Sequence, residues 1–336
     1  MTTELRPDVR PEAWRGAAGW EERDGAFRAW RLLPSLVGRA FAPELLAKAR
    51  EAAGVRLDVV ADAGVLELDG DYTIDLDRER RIDVLVDGEL HQRVDIEPGT
   101  VRVSVPLPAG EHRVQVWLPQ VGELWLRSLR LPGSVLRAAP AAAARWTTYG
   151  SSITQCSAAA GPSETWPAVV ARALDWDLTC LGFGGQCHID PVASRTIAAI
   201  PADIVSLCLG INIAGAASLS TRTFGPQVAG LIDQVREAHP GAPIAVISPI
   251  LSPPRERTPN PVGVTLEWMR ETIGEVVDAT DDDRLHLIDG PSIIGERDLG
   301  LLPDELHPDE VGYRLMGERL SAALAPLLTT ATATVA

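Results

Sequence analysis

From about residue 144 the chain alternates five short strand-like runs with helix-length stretches, and few folds accept that pattern. Strands are expected at 146–149, 178–181, 204–209, 244–248 and 285–288. Helices are expected at 166–174, 191–200, 224–238, 264–278 and 308–328. A strand–helix repeat of this kind forms a parallel sheet with helices on both faces. Function in such sheets gathers just beyond the carboxyl ends of the strands.

The upstream part has another rhythm. Residues 1–50 are mixed, with Trp14, Trp20 and Trp30 set in a polar stretch and a short helix expected at 42–53. From Gly54 short strands follow one another, at 55–60, 65–68, 72–76, 81–86, 92–96, 101–106, 111–118 and 123–129. Asp87-Gly88 is a hairpin turn signal, because the turn that joins two twisted strands needs positive φ at both central residues. Val101-Arg102-Val103-Ser104-Val105 alternates with the period of a half-buried strand. Many short strands at even spacing predict a β-sandwich. The Leu131-Pro132-Gly133 break and the alanine-rich stretch at 138–144 predict a boundary. The expected domains are a β-sandwich over 1–138, with a mixed N-terminal segment, and an α/β domain over 139–336. A chain of 336 residues suits two domains.

Charge narrows the partners. A net charge of −15 argues against nucleic acid and anionic membrane, which attract basic surfaces. The N-terminus lacks the apolar core of a secretory signal, and no run approaches the roughly 18 apolar residues of a membrane helix. A cytoplasmic protein, or a mature form with its signal removed, is expected. Cys156, Cys180, Cys187 and Cys208 show no paired CxxC spacing and read as free thiols, not as a disulfide frame or zinc site. No metal and no cofactor are expected.

Four short blocks carry chemistry. Gly150-Ser151-Ser152-Ile153-Thr154 follows the first strand of the α/β part, and Gly182-Phe183-Gly184-Gly185 follows the second. Gly210-Ile211-Asn212 follows the third, and Asp304-Glu305-Leu306-His307 lies after the last. Ser152 in a strand-to-helix turn presents a hydroxyl beside backbone N–H groups, although a serine there serves equally to cap a helix. His307 can take the serine proton, and Asp304, one turn earlier, can orient the imidazole. The other reading of that block is a solvated loop with His307 capping the last helix. The Gly185 N–H and the Asn212 amide can hold an oxyanion, and both also suit an ordinary turn. His188, Phe183 and the proline-rich loop at 252–261 are candidates for the cleft wall. An exposed histidine, a core phenylalanine and a plain connection are their respective alternatives.

In order and type these blocks resemble the SGNH hydrolase superfamily, the GDSL esterases and lipases. The resemblance spans about 145–328 and matches Ser152, Gly185, Asn212 and His307, with Asp304 at the position of the family's usual triad acid. It implies a flavodoxin-like three-layer α/β/α fold and ester hydrolysis without a metal. It is similar to a subgroup with Gly-Ser-Ser-Ile-Thr in block one and an N-terminal, jelly-roll-like β-sandwich, a plan common among carbohydrate deacetylases. Two positions depart from the family. Ser151 stands where aspartate is usual, and so does Ile213, which is expected to make the wall beside Asn212 apolar. The expected function is a serine esterase acting on short acyl esters, such as O-acetyl groups on a carbohydrate or small metabolite. An acyltransferase with the same serine chemistry, or a non-catalytic binding module, are the alternatives.

Overall fold

The computed structural model describes residues 2–74 and 80–333. Five parallel strands form the sheet of the α/β part: β1 (Ala144–Gly150), β2 (Trp176–Gly182), β3 (Ile204–Cys208), β4 (Ile244–Ile247) and β5 (Leu285–Ile288). Their order across the sheet is β2-β1-β3-β4-β5. This is the flavodoxin-like order, whose topological switch point lies between β1 and β3. Register aligns the strand ends there, with Tyr149 opposite both Leu181 and Leu207.

The helices that follow its first strand are, among the described residues, α1 (Ser152–Gln155), α2 (Trp166–Leu174), α3 (Pro191–Ala199), α4 (Ile211–Ala216), α5 (Phe224–Ala238), α6 (Leu266–Ala279), α7 (Gly290–Ile293) and α8 (Glu310–Ala333). Apolar spacing decides which face each helix buries. In α5 the buried residues are Phe224, Val228, Leu231, Ile232 and Val235, a stripe at helical period. They join Val205, Leu207 and Ile273 on one side of the sheet. Trp146, Trp166, Leu178, Ile247, Tyr313 and Leu320 build the core of the other side. Two cores around one sheet make three layers.

The N-terminal part is antiparallel. One sheet contains Gly19–Arg23, Ala26–Trp30, Val65–Thr73 and Gly99–Pro106, and the other contains Arg56–Ala63, Arg81–Val86, Glu89–Asp95 and Glu111–Trp117. Leu66, Leu68, Val103 and Val105 of the first face Leu57, Val59, Val84 and Val116 of the second in one core. The hairpin at Asp87-Gly88 has φ of 51° and 87°, the two positive values such a turn requires. The expected strand 72–76 is seen at Tyr72 and Thr73, while Asp75 and Leu76 lie outside the described residues.

Two regions differ from expectation. Leu131-Pro132-Gly133 is not a break, because the strand Glu123–Ala138 runs through it and changes sheets. Its first half pairs with Val65–Thr73 and its second half with Arg56–Ala63, with a register shift between Gly133 and Val135. A Cβ on Gly133 would lie 1.9 Å from the Asp62 carbonyl oxygen, so only glycine fits the crossover. The mixed N-terminal segment is also structured. Trp30, Leu32, Leu45 and Ala49 pack into the core beneath α5, so part of the first 50 residues belongs to the α/β core. Among the described residues no helix is long and apolar enough to cross a membrane.

Candidate active site

Ser152 opens α1 directly beyond β1. The turn is tight, since a Cβ on Gly150 would lie 2.2 Å from Thr154 Oγ1. The capping role falls to Ser151, whose buried Oγ accepts from the Ile153 N–H at 3.2 Å. The Ser152 hydroxyl is left for a distant partner, His307 Nε2, at 2.9 Å.

His307 is held by its own loop. Asp304 Oδ2 lies 2.7 Å from His307 Nδ1. The other oxygen, Oδ1, accepts from the backbone N–H groups of Leu306 at 3.1 Å and His307 at 2.7 Å. A carboxylate only accepts, so Nδ1 carries the imidazole proton and Nε2 offers its lone pair to Ser152. Partial burial by itself raises the Asp304 pKa, but the hydrogen bonds from the His307 ring and backbone outweigh it and leave the carboxyl below its ordinary value. The loop is closed by Glu305, which has a left-handed backbone, φ 59°, and whose carbonyl accepts from Ser252 Oγ at 2.7 Å.

The glycine block lies against the serine. A Cβ on Gly184 would meet Ser152 Cβ at 3.6 Å, so the two backbones are in near contact. Gly185 has φ 72° and is exposed, and a Cβ there would meet nothing within 4 Å. Its backbone thus borders open space beside the nucleophile. Asn212 sits in the first turn of α4, past β3. Its Oδ1 accepts from the Cys187 N–H at 3.0 Å. A backbone N–H cannot accept, so the Asn212 NH₂ is turned away from Cys187 and its donors stay available. Ser152, Gly185 and Asn212 come from the ends of β1, β2 and β3, at the switch point of the sheet.

Of the remaining candidates, His188 bonds the Gly185 carbonyl through Nε2 at 3.0 Å and Ser218 Oγ through Nδ1 at 2.8 Å. It braces the glycine loop. Phe183 and Ile213 are not on the cleft wall; both are wholly buried in the core beneath the sheet. One position along a short helix or strand end turns a side chain to another face, so adjacency to Gly184 or Asn212 did not carry them into the cleft. The thiols are free, and burial pushes Cys156 well up and Cys208 up to about 12, which keeps both protonated. The loop at 252–261 ties site elements together. Besides the Ser252 bond to Glu305, Asn260 Nδ2 donates to the Ala214 carbonyl of α4 at 2.9 Å.

One residue that motif reading missed is Gln155, at the end of α1 and 2% exposed. Its Oε1 accepts from the Gly184 N–H at 2.7 Å. Only its place directly after block one, three residues beyond Ser152, pointed toward it.

A hydroxyl, an imidazole and a carboxylate in one hydrogen-bonded chain, beside a glycine turn and a free amide, can support acyl transfer through serine. Comparison with known proteins identifies the family. The profile of the GDSL-like lipase/acylhydrolase family matches residues 148–315, half of the chain. No curated protein matches. Among solved structures, the salicylyl-acyltransferase SsfX3 from a tetracycline biosynthetic pathway superposes with a TM-score of 0.89 at 29% identity, over 97% of each chain. A family two carbohydrate esterase from Clostridium thermocellum, solved with cellohexaose, has a TM-score of 0.65 at 17% identity, over 94% of this chain and 98% of its own. An acetyl xylan esterase from the rumen bacterium Butyrivibrio proteoclasticus has a TM-score of 0.65 at 13% identity, over 98% of each chain. At such identities the two esterases share the fold alone.

Proposed function

We propose that this chain, which belongs to the GDSL-like lipase/acylhydrolase family, is a serine esterase that cleaves short acyl esters through an acyl-Ser152 intermediate. The observation that carries the reading is the chain Ser152 Oγ–His307 Nε2 at 2.9 Å and His307 Nδ1–Asp304 Oδ2 at 2.7 Å. His307 Nε2 takes the hydroxyl proton as Oγ attacks the ester carbonyl. Asp304 stabilises the imidazolium that forms. The backbone N–H groups of Ser152 and Gly185 and the Asn212 amide receive the oxyanion, which is where such sites gain most of their rate. The tetrahedral adduct collapses, the C–O bond to the alcohol breaks, and His307 returns the proton to the departing alkoxide. Water then attacks the acyl-serine with the same histidine as base, and the acid leaves.

A second reading has its own support. The 29% identity to an acyltransferase extends over 97% of the chain, N-terminal β part included. If an alcohol or amine takes the place of water in the second half of the cycle, the same residues perform transfer. The substrate class in either case is a small-molecule or carbohydrate ester. Hydrolysis of p-nitrophenyl esters, from acetate to long chains, tests the reading with wild type and Ser152→Ala side by side. The serine variant is expected to lose at least about 10³-fold in kcat. Equal activity in both proteins would refute the mechanism. Product analysis with added alcohols or amines then separates hydrolysis from transfer.

A further inference from the structure

The Gln155 side chain is fully partnered, and its partners come from three separate parts of the chain. Oε1 accepts from the Gly184 N–H at 2.7 Å. Nε2 donates to the Glu51 carboxylate and, at 3.0 Å, to the Gln120 backbone carbonyl. Carboxylates and carbonyls only accept, so the amide has one possible orientation, and its oxygen must face the glycine turn. Glu51 is itself fixed: it is 7% exposed, pairs with Lys48 Nζ at 2.9 Å, and its backbone carbonyl accepts from Arg31 Nε at 2.6 Å.

Arg31 holds the end of β2, from which the same turn leaves. It is wholly buried, and its guanidinium donates to the carbonyls of Cys180, at 3.3 Å, and Gly182, at the end of β2. Its Cζ lies 4.8 Å from the Phe183 ring centre. Glu51 and Arg31 belong to the N-terminal segment, and Gln120 to the loop after the sandwich strand Glu111–Trp117. Every hydrogen bond that Gln155 and Arg31 make onto residues 180–184 is therefore backed by the N-terminal part of the molecule.

We propose that Gln155 is a positioning residue for the oxyanion-binding turn, clamped by Glu51 of the N-terminal segment and Gln120 of a sandwich loop, so that the part of the molecule preceding the parallel sheet completes the acyl-transfer site instead of merely accompanying it. The inference rests on the serine mechanism proposed above. A glycine turn with positive φ at Gly185 has no side chains of its own to lock it, and His188 fixes only its Gly185 carbonyl, at 3.0 Å, leaving the Gly184 N–H to another partner. An oxyanion donor must be in place before charge develops, and displacement by about 1 Å can cost about a hundredfold in rate. Gln155 does not touch substrate. It supplies the fixed acceptor that holds the Gly184 N–H, and with it the Gly185 backbone, against Ser152.

The test measures kcat and KM for p-nitrophenyl acetate, together with the affinity for an aryl trifluoromethyl ketone that mimics the tetrahedral adduct. The proteins are wild type, Ser152→Ala, Gln155→Leu, Gln155→Asn, Glu51→Gln and Glu51→Leu, each checked for folding by circular dichroism. Gln155→Leu is expected to lower kcat by about ten- to a hundredfold. KM should stay within about twofold, and ketone affinity should fall in parallel with kcat. Glu51→Gln keeps an acceptor for Nε2 and should lose less than Glu51→Leu. If Gln155→Leu does not fold, Gln155→Asn carries the same expectation, because it stays polar but is one methylene too short to span its partners. A folded Gln155 variant with unchanged kcat and ketone affinity overturns the inference while leaving the serine mechanism intact. Equal hydrolysis by wild type and Ser152→Ala overturns both.

Discussion

At the scale of single residues the sharpest consequence concerns Asp304. Its two oxygens have different duties: Oδ1 is occupied by the backbone N–H groups of Leu306 and His307, and Oδ2 faces the ring. In Asp304→Asn the remaining oxygen must stay with the two N–H donors, so the NH₂ points at Nδ1. An NH₂ group needs an acceptor, which drives the imidazole proton to Nε2, the atom that should receive the serine proton. The expected result is a fall in kcat of up to about 10⁴-fold with substrate affinity largely kept. A Michaelis analysis checks it, and a variant within threefold of wild type would show that Asp304 does not set the tautomer. This block was legible in the sequence because its whole hydrogen-bond pattern is local, spanning four residues. Gln155 and Ser252 were not legible in the same way. Their partners, Glu51 and Glu305, lie 104 and 53 positions away, and no local spacing encodes such contacts. Phe183 and Ile213 failed for a related reason: sequence neighbours of a site residue share its neighbourhood but not its face.

At the scale of elements the strand Glu123–Ala138 shows why a Pro-Gly pair can mislead. Such a pair ordinarily punctuates a strand. Here it is the place where one strand leaves the first sheet and joins the second, and the missing Cβ at Gly133 lets the Asp62 carbonyl come close. Gly133→Ala should therefore destabilise the protein by more than about 2 kcal/mol, because the clash is with backbone that cannot rotate away. Chemical denaturation measures this, and a change under about 0.5 kcal/mol would mean the crossover is loose. The hairpin at Asp87-Gly88 was correctly read because its turn chemistry is local, and it carries a pH signature. The hydrogen bond that the His112 ring donates to Asp87, followed by the one to the Ala109 carbonyl, raises the His112 pKa above its ordinary value, and Asp87 is lowered in turn. A raised histidine pKa contributes stability that is present in full below the ordinary histidine value and lost as pH rises through the raised one. An NMR titration should place the His112 midpoint above the ordinary value, and Asp87→Asn should bring it back down. No movement in the variant would assign the shift to something other than Asp87.

At the scale of the whole molecule the two parts are joined by more than a linker. Strand pattern distinguished an antiparallel part from a parallel one, but it had no means of showing that Trp30, Leu32, Leu45 and Ala49 pack into the α/β core. Other ties cross the same border. Trp117 and Leu85 of the sandwich strands pack with Trp146 and Trp176. Arg56 Nη2 meets Asp177 at 2.8 Å. The Asp83 carboxylate, wholly buried in the strand Arg81–Val86, accepts from Arg93 at 2.7 and 3.0 Å and from the Ser163 N–H and hydroxyl at 3.0 and 2.7 Å. Parts that share cores and buried polar partners cannot open independently without exposing both, so the chain should unfold as one cooperative unit. Hydrogen exchange read by mass spectrometry gives the decisive comparison, between the sandwich strand Gly99–Pro106 and β3 of the parallel sheet. Their slowest amides should open with the same free energy. Asp83→Ala leaves Arg93 and Ser163 without their buried acceptor and should lower that free energy by about 3–5 kcal/mol. Both strands should move together, although Asp83 belongs to only one part. A loss of protection confined to the sandwich would mean that the two parts unfold separately. The oxyanion turn would then have to hold its place without the support of Gln120 whenever the sandwich opens.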